Sequence, residues 1–369
     1  MKNILSTLIV IVGLLVSYLT LWPVPVDPVQ WIPPESQGYV GAHAKNTKLA
    51  DLQIIPLGKE EGPEQIVIGK DGKLYITVFS SGKIMRMNQD GSRQEVFAKT
   101  GGRVLGFDFD AAGNIIAADV NNGLLSISPD KKITVLTNKV NGDPIRYPDA
   151  VALAKSGKIY FSDASQRFAP KDWGGIFQSS TIDILEQRST GRILEYDPIT
   201  KNTRVVAKGF SFANGVALSQ DQNWLFVNET GKYRVWKISV KSKDLDISNP
   251  GELAQVLFEN LPGYPDNLMR GINGKIWVGL IKPRSPVLEK MTITTTPFMR
   301  KLTYRLPKFL WPVPKPYGHV FAFTEDGKVV ADLQDPSGKY PEITGVTETP
   351  DRLYMQSLHA KGIGWLPNK

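Results

Sequence analysis

Cysteine is absent from all 369 residues, which excludes a disulfide framework, a thiolate metal site and a cysteine nucleophile. No Gly-x-Ser-x-Gly elbow occurs either, so nothing points to a serine hydrolase built on that motif. Long helical patterns are nearly absent outside the N-terminal run and one late insertion. The net charge of +8 suggests nucleic acid until it is located. Residues 282–315 hold eight basic side chains (Lys282, Arg284, Lys290, Arg300, Lys301, Arg305, Lys308 and Lys315) against one acid, Glu289, and eight minus one is seven. With the excess confined to one insertion, no nucleic-acid-binding surface is expected. What remains is a chain of ordinary hydrophobic content, 41%, ample for a large core.

Ile4 to Trp22 is an uncharged, mostly apolar run behind Lys2, long enough to cross a bilayer as a helix. A cleaved signal peptide is the competing reading. The run exceeds the usual signal core, no small-x-small site follows, and Trp22 suits a membrane interface. The expectation is therefore an uncleaved anchor over residues 1–22, with the positive end inside and the bulk of the chain extracytoplasmic. Residues 23–45 then read as a stiff Pro-rich linker, and 46–369 as the folded domain.

That domain repeats one unit: a short apolar strand, a Gly or Asn turn, and a second alternating strand. The second strands are expected at 73–78, 114–119, 158–163, 223–228, 275–280 and 352–357. Third strands follow at 82–87, 123–128, 191–196, 233–239 and 318–323. Six such units predict an all-β fold, a six-bladed β-propeller; a β-sandwich would not explain six registers of one motif. The last repeat stops near Leu366, short of an outer strand, and Leu49–Leu57 is expected to supply it and close the ring. Two insertions, 164–190 and 281–317, fall between second and third strands and should cover the mouth of the central channel.

Four repeats carry an oxygen-bearing side chain at one register: Glu64, Asp149, Asn214 and Asp266. Each lies eight positions before the second residue of a tight turn, at Gly72, Gly157, Gln222 and Gly274. The same register holds Leu105 and Ile343 in the other repeats, so local turn chemistry does not demand polarity there. Around a propeller axis the four converge, and three carboxylates converging without a cation would repel strongly. Oxygen donors without Cys or His point to calcium, with magnesium the lesser candidate. At the ends of the second strands stand Asp119, Asp163, Asn228 and Ser357, where a turn-forming role competes with a functional one.

Gly62-Pro63-Glu64, Phe212-Ala213-Asn214-Gly215-Val216-Ala217 and Pro262-Gly263-Tyr264-Pro265-Asp266-Asn267, in this order, resemble the six-bladed propellers of the strictosidine synthase-like group. That group includes the adipocyte plasma membrane-associated proteins and is related more distantly to the gluconolactonase (SMP-30) and paraoxonase families. The resemblance implies one calcium held by Glu64, Asp149, Asn214 and Asp266. Gln65 and Ala150 stand where paraoxonases place ligands of a second ion. It also implies a substrate or ligand contact at Asn267; the strand-end residues Asn228 and Asp119, which return to the same face, are further substrate-binding candidates. Asp266 is the position used as base in the gluconolactonase branch, and Asp163 is a second catalytic candidate. The paraoxonase histidine pair has no counterpart, and His43, His319 and His359 read as structural, with His359 free to approach the mouth. The activity implied is calcium-dependent hydrolysis of a small-molecule lactone or aryl ester. The alternatives are the amine–aldehyde condensation of the alkaloid-forming branch, without metal, and a binding propeller with no catalysis.

Residues 297–311 carry Phe298, Leu302, Leu306, Phe309 and Leu310 near helical spacing, with Arg300, Lys301, Arg305 and Lys308 interleaved. A short helix from Pro297 to Pro307 is expected, its apolar side packed on the propeller as a lid. Its basic side would then be free to touch anionic lipid, giving the membrane two contacts, residues 4–22 and 297–311.

Overall fold

In five of the six blades the innermost apolar strand runs into a left-handed turn. Gly72, Gly157 and Gly274 have φ of +73, +87 and +76°, and Gln222, at the same register, is held at +64°. Glycine adopts this conformation freely and other residues rarely. The turn reverses the chain into the second strand, so the expected strands appear within a few residues of their predicted bounds. The structure, a computed structural model, describes residues 2–294 and 296–368. Met1, Thr295 and Lys369 lie outside the described residues, one each in the N-terminal run, the second insertion and the C-terminal end.

Blades 1 to 6 have innermost strands Pro63–Ile68, Val104–Phe109, Pro148–Leu153, Ala213–Leu218, Gly263–Arg270 and Ile343–Glu348. Each is the first strand of an antiparallel four-stranded sheet, and blade 3 carries a short fifth strand. In blade 6 the outermost strand is Gln53–Pro56, paired with Gly362–Pro367 so that Ile54 faces Gly364. The ring closes by joining the two ends of the domain, as the short last repeat requires. Apolar side chains fill the seams between blades. At the closure, Ile55 and Leu57 pack with Ile66, Leu74, Tyr354 and Ile363, removing apolar surface from water at about 25 cal/mol per Å².

Four α-helices stand outside the blades among the described residues: α1 (Lys2–Leu21), α2 (Ile176–Glu186), α3 (Pro286–Ile293) and α4 (Phe298–Arg305). The Asn3–Leu21 stretch of α1 has mean hydropathy 2.5 and buries nothing against the protein, as a lipid-facing span would. No helix was expected in the first insertion. Ser179 and Thr181 weaken the local signal by bonding their hydroxyls back to Gly175 O and Phe177 O. Tertiary packing of buried Ile182 and Leu185 makes α2 a helix nonetheless.

The segment after α1 is extended and docked across both insertions. Val29 N and Trp31 N donate to Glu186 O and Thr292 O at 2.8 and 3.0 Å. Val26 is buried against Phe168 and Ile182. The orientation of α4 differs from the lid expectation. Phe298 and Met299 face outward, 46 and 45% exposed, whereas Arg300 is 1% exposed. Its guanidinium donates to Val29 O at 2.7 Å and to Leu185 O and Glu186 O at 3.4 and 3.5 Å. The last carbonyls of α2 lack intrahelical donors; Val29 N meets Glu186 O, and Arg300 ties that junction to α4 through Val29 O and Leu185 O.

Candidate metal centre and active site

The four register-matched residues all lie at the start of innermost strands, where the pairing with the second strand is interrupted. Register shifts fall between Pro63 and Gln65, Pro148 and Val151, Ala213 and Val216, and around Pro265. A bulge of this kind re-aims a side chain, here toward the axis. The backbone groups it frees find side-chain partners. Gln65 N donates to Thr77 Oγ1 at 3.0 Å and Ala150 N to Ser162 Oγ at 2.9 Å. Neighbouring blades lock the ligand backbones: Thr344 Oγ1 donates to Glu64 O at 2.8 Å, and Asn228 Nδ2 to Asp266 O at 2.6 Å. Glycines allow this crowding. A Cβ on Gly215 would lie 2.3 Å from Leu268 N and 2.5 Å from Asp266 O; one on Gly106 would lie 2.4 Å from Asp149 O.

Glu64, Asp149, Asn214 and Asp266 are 3, 4, 4 and 6% exposed and together line the floor of one cavity. Asn214 Nδ2 donates to Asp266 Oδ1 at 2.7 Å. Glu64 Oε2 and Asn214 Oδ1 are buried with no hydrogen-bond partner, and orphaned buried oxygens are costly. Burial pushes the carboxyl of Glu64 well above its usual range, and the charges of Asp266 and Asp149 push it further. Asp149 is raised well above its range by burial and by Asp266. Asp266 rises to about 7 through burial, opposed by its hydrogen bond from Asn214. Three carboxyls that resist ionisation and two unpartnered oxygens fit a hard divalent cation, which satisfies both at once.

A tighter group lies elsewhere: the ligating atoms of His43, His319 and Asp332 fall within 4.8 Å of one another. His43 Nδ1 and His319 Nε2 each sit 2.8 Å from Asp332 Oδ2. His319 Nδ1 is buried without a partner. As a metal ligand His319 would need a partner for the N–H on that atom, so this group reads as a clamp tying His43 to blade 5. It agrees with the structural reading of both histidines.

The cavity walls come from Leu105, Tyr147, Phe212 and Tyr264, and its roof from Phe177 and Ile184 of α2, Leu288 of α3, and Val313. Residues of both insertions therefore line the cavity. Asp163 does not line it. Its oxygens accept from Arg146 N, Tyr147 N and Arg192 Nε at 3.1, 2.8 and 2.9 Å, so it positions Tyr147, two residues before Asp149, and has no atom free for substrate. Asp119 accepts from Thr100 Oγ1, Asn121 N and Asn122 N, which is the turn-forming reading. Asn228 and Asn267 also stand behind the floor; Asn267 Nδ2 lies 3.3 Å from Glu64 O. Sequence reasoning missed Lys282, the one cation among the described residues lining the cavity. Its Nζ lies 2.6 Å from Glu342 Oε1, and Glu342 Oε2 is bonded to His359 Nδ1. His359 does not line the cavity itself but packs edge-on to Phe177, which does. Only the position of Glu342, one residue before Ile343 at the ligand register, hinted at this group.

Residues 149–243 match the strictosidine synthase family model, and residues 41–87 the strictosidine synthase-like N-terminal model. The chain is 33% identical over 325 residues to strictosidine synthase-like 7 of Arabidopsis thaliana, covering 84% of this chain and 80% of that protein. It belongs to the strictosidine synthase-like family. Within that family it is also similar to the adipocyte plasma membrane-associated protein of Rattus norvegicus, 26% identical over 365 residues, with 91% of each chain covered. Two solved structures share the propeller. A gluconolactonase from Xanthomonas campestris has TM-score 0.61 at 15% identity, with 94% of this chain and 99% of that one covered. The calcium-binding protein regucalcin from Agrobacterium tumefaciens has TM-score 0.54 at 13% identity, with 85 and 91% covered.

Proposed function

We propose that this strictosidine synthase-like propeller is a calcium-dependent hydrolase of lactones or aryl esters. The observation that carries the reading is the convergence of three buried carboxyls and an orphaned amide oxygen on the floor of an apolar cavity. Calcium accepts six to eight oxygens in flexible geometry, whereas magnesium demands a stricter octahedron and more water. Two propellers of the same fold, a gluconolactonase and a calcium-binding regucalcin, support the choice. Held by Glu64, Asp149, Asn214 and Asp266, the ion would neutralise the carboxylates and polarise a carbonyl oxygen.

The chain's own groups do the rest. The apolar wall binds the body of the substrate and excludes bulk water. Asp266 Oδ1 is engaged by Asn214, which leaves Oδ2 to take a proton from water. The water oxygen adds to the acyl carbon, the acyl C–O bond breaks, and the proton held on Asp266 passes to the departing alkoxide oxygen. Asn228 and Asn267 hold the backbones of Asp266 and Glu64 in place, and Lys282 offers a cation at the cavity wall.

A second reading is favoured by family membership: condensation of an amine with an aldehyde, with Asp266 or Glu64 as acid and base and no metal. One assay separates the two. A lactone and aryl-ester panel is run with calcium and after chelation. Turnover that chelation abolishes and calcium restores supports hydrolysis. No turnover, with melting indifferent to calcium, would favour the metal-free condensation, and no turnover with melting still dependent on calcium would leave a binding propeller. We also place the propeller on the extracytoplasmic side, because Lys2 stands at the N-terminal end of α1 while residues 22–44 contain no Lys or Arg.

A further inference from the structure

The outward face of the second insertion is apolar and continuous with the end of the N-terminal span. Phe298, Met299, Phe309, Leu310 and Val313 are 46, 45, 85, 53 and 37% exposed. Water-soluble proteins rarely gather so many large apolar side chains on one segment without a partner. The expected basic contact surface is depleted: Arg300 is buried, and Arg305 is turned to the protein. Arg305 Nε and Nη2 donate to Trp22 O at 2.8 and 2.6 Å, and Nη1 to Leu19 O at 3.0 Å. These are the carbonyls at the C-terminal end of α1, where a cation also meets the negative end of the helix dipole. The 20-residue α1 is about 30 Å long, one hydrocarbon thickness. Arg305 thus fastens α4 at the depth where the span leaves the bilayer, and Trp22, 60% exposed, stands at that level as interface aromatics do. Val313 belongs both to this exposed face and to the cavity lining.

We propose that α4 and residues 309–313 insert as a hydrophobic foot into the leaflet surrounding α1, and that the cavity opens there, admitting its substrate from the bilayer. The occupant of the face is lipid, because the face is joined to a membrane span by direct hydrogen bonds. The attachment is chiefly hydrophobic, because Arg300 and Arg305 are spent on protein carbonyls and only Lys301 and Lys308 of the four basic side chains are left to meet lipid head groups. Resting on the hydrolase reading for its chemistry, the inference narrows the substrate to lactones or esters with an acyl chain long enough to reside in a membrane. The apolar wall of Leu105, Phe177, Ile184, Phe212 and Leu288 suits such a chain.

The absence of cysteine makes the test direct. The full chain carrying Phe309→Cys is labelled with an environment-sensitive fluorophore and reconstituted in vesicles. Ile199→Cys is the control, since Ile199 is 86% exposed at the turn from the third to the fourth strand of blade 3, on the face away from the mouth. Quenching of the 309 label by spin-labelled lipid and not by aqueous iodide, unaltered by high salt, supports the foot. Iodide quenching equal to that at 199 overturns it. Protection from both quenchers, meaning that protein such as a second copy covers the face, also overturns it, and so does release by salt. For the substrate, the Phe298→Ser, Phe309→Ser double variant should lose about tenfold in kcat/KM on a long-chain lactone held in the vesicles. A short water-soluble lactone should be unaffected. Equal losses on both refute entry from the bilayer. If the parent protein hydrolyses neither, the substrate half falls with the hydrolase reading, and the quenching result still decides the foot.

Discussion

Removing calcium from the axial site should turn a charge imbalance into an uptake of protons. Glu64, Asp149 and Asp266 all have carboxyls raised above their ordinary range, first by burial. A group raised on folding binds protons more tightly in the folded state than in the unfolded one. Its contribution to stability is therefore complete below the unfolded value near 4 and is lost as pH rises through the folded value. For Asp266 the folded value is about 7. The slope is about 1.4 kcal/mol per pH unit per proton, so across about three units this carboxyl alone removes about 4 kcal/mol from the cation-free protein. Calcium holds the carboxylates ionised, so its binding near pH 6 must expel at least one proton per ion. The assay is calorimetric titration of calcium into chelator-stripped protein, in two buffers of different ionisation enthalpy. The difference in heat counts protons, and the count should be lower near pH 8 than near pH 6. Identical heats in both buffers near pH 6, or a cation-free protein whose melting temperature rises between about pH 5 and pH 7, would refute the reasoning.

Asp266→Asn removes one of the repelling charges. It should raise the melting temperature of the chelated protein near pH 7 while weakening calcium binding and abolishing turnover even at saturating calcium. Asp163→Asn should do the reverse. It leaves buried Arg192 with less of its counter-charge and costs about 3 kcal/mol of stability by denaturant unfolding, while kcat in the folded fraction stays near the parent value. Gly215→Ala forces a Cβ into Asp266 O and Leu268 N. Thermal melting should show a loss of about 1–3 kcal/mol, with calcium affinity lowered in parallel. Lys282→Met leaves Glu342 with His359 as its remaining hydrogen-bond partner beside the floor carboxylates. Calcium should bind a few-fold more tightly at low ionic strength, and turnover should fall; unchanged affinity would show that Glu342 does not act on the site.

Much of the fold was legible because its signals are local and repeated. The left-handed turn eight positions after Glu64, Asp149, Asn214 and Asp266 is visible as Gly72, Gly157 and Gly274, and the register predicted the same backbone at Gln222, where no glycine advertises it. The missing outer strand of the last repeat identified the closing segment for the same reason. What stayed hidden depends on contacts between distant residues. The clamp of Asp332 joins His43 and His319 across 289 and 13 residues. Helix α2 carries serine and threonine that argue against it locally, and it exists because Ile182 and Leu185 are buried.

Taken alone, the sequence determined the repeat, and through it the six blades and the four side chains that meet on the axis. Residues at one register of a closed ring must point at one place, whatever surrounds them. Tertiary structure decided the rest of the site. Asp163 and Asp266 are both acids at strand ends near the axis, yet Asp163 faces Arg192 and two backbone N–H groups while Asp266 faces the cavity. Likewise Arg300 and Phe298 exchange the faces expected of them, with the Arg300 guanidinium bonded at the junction of Val29 with the end of α2. Which polar group is buried, and against what, is set by unmet hydrogen bonds on neighbouring elements, and those appear only when the chain has brought them together.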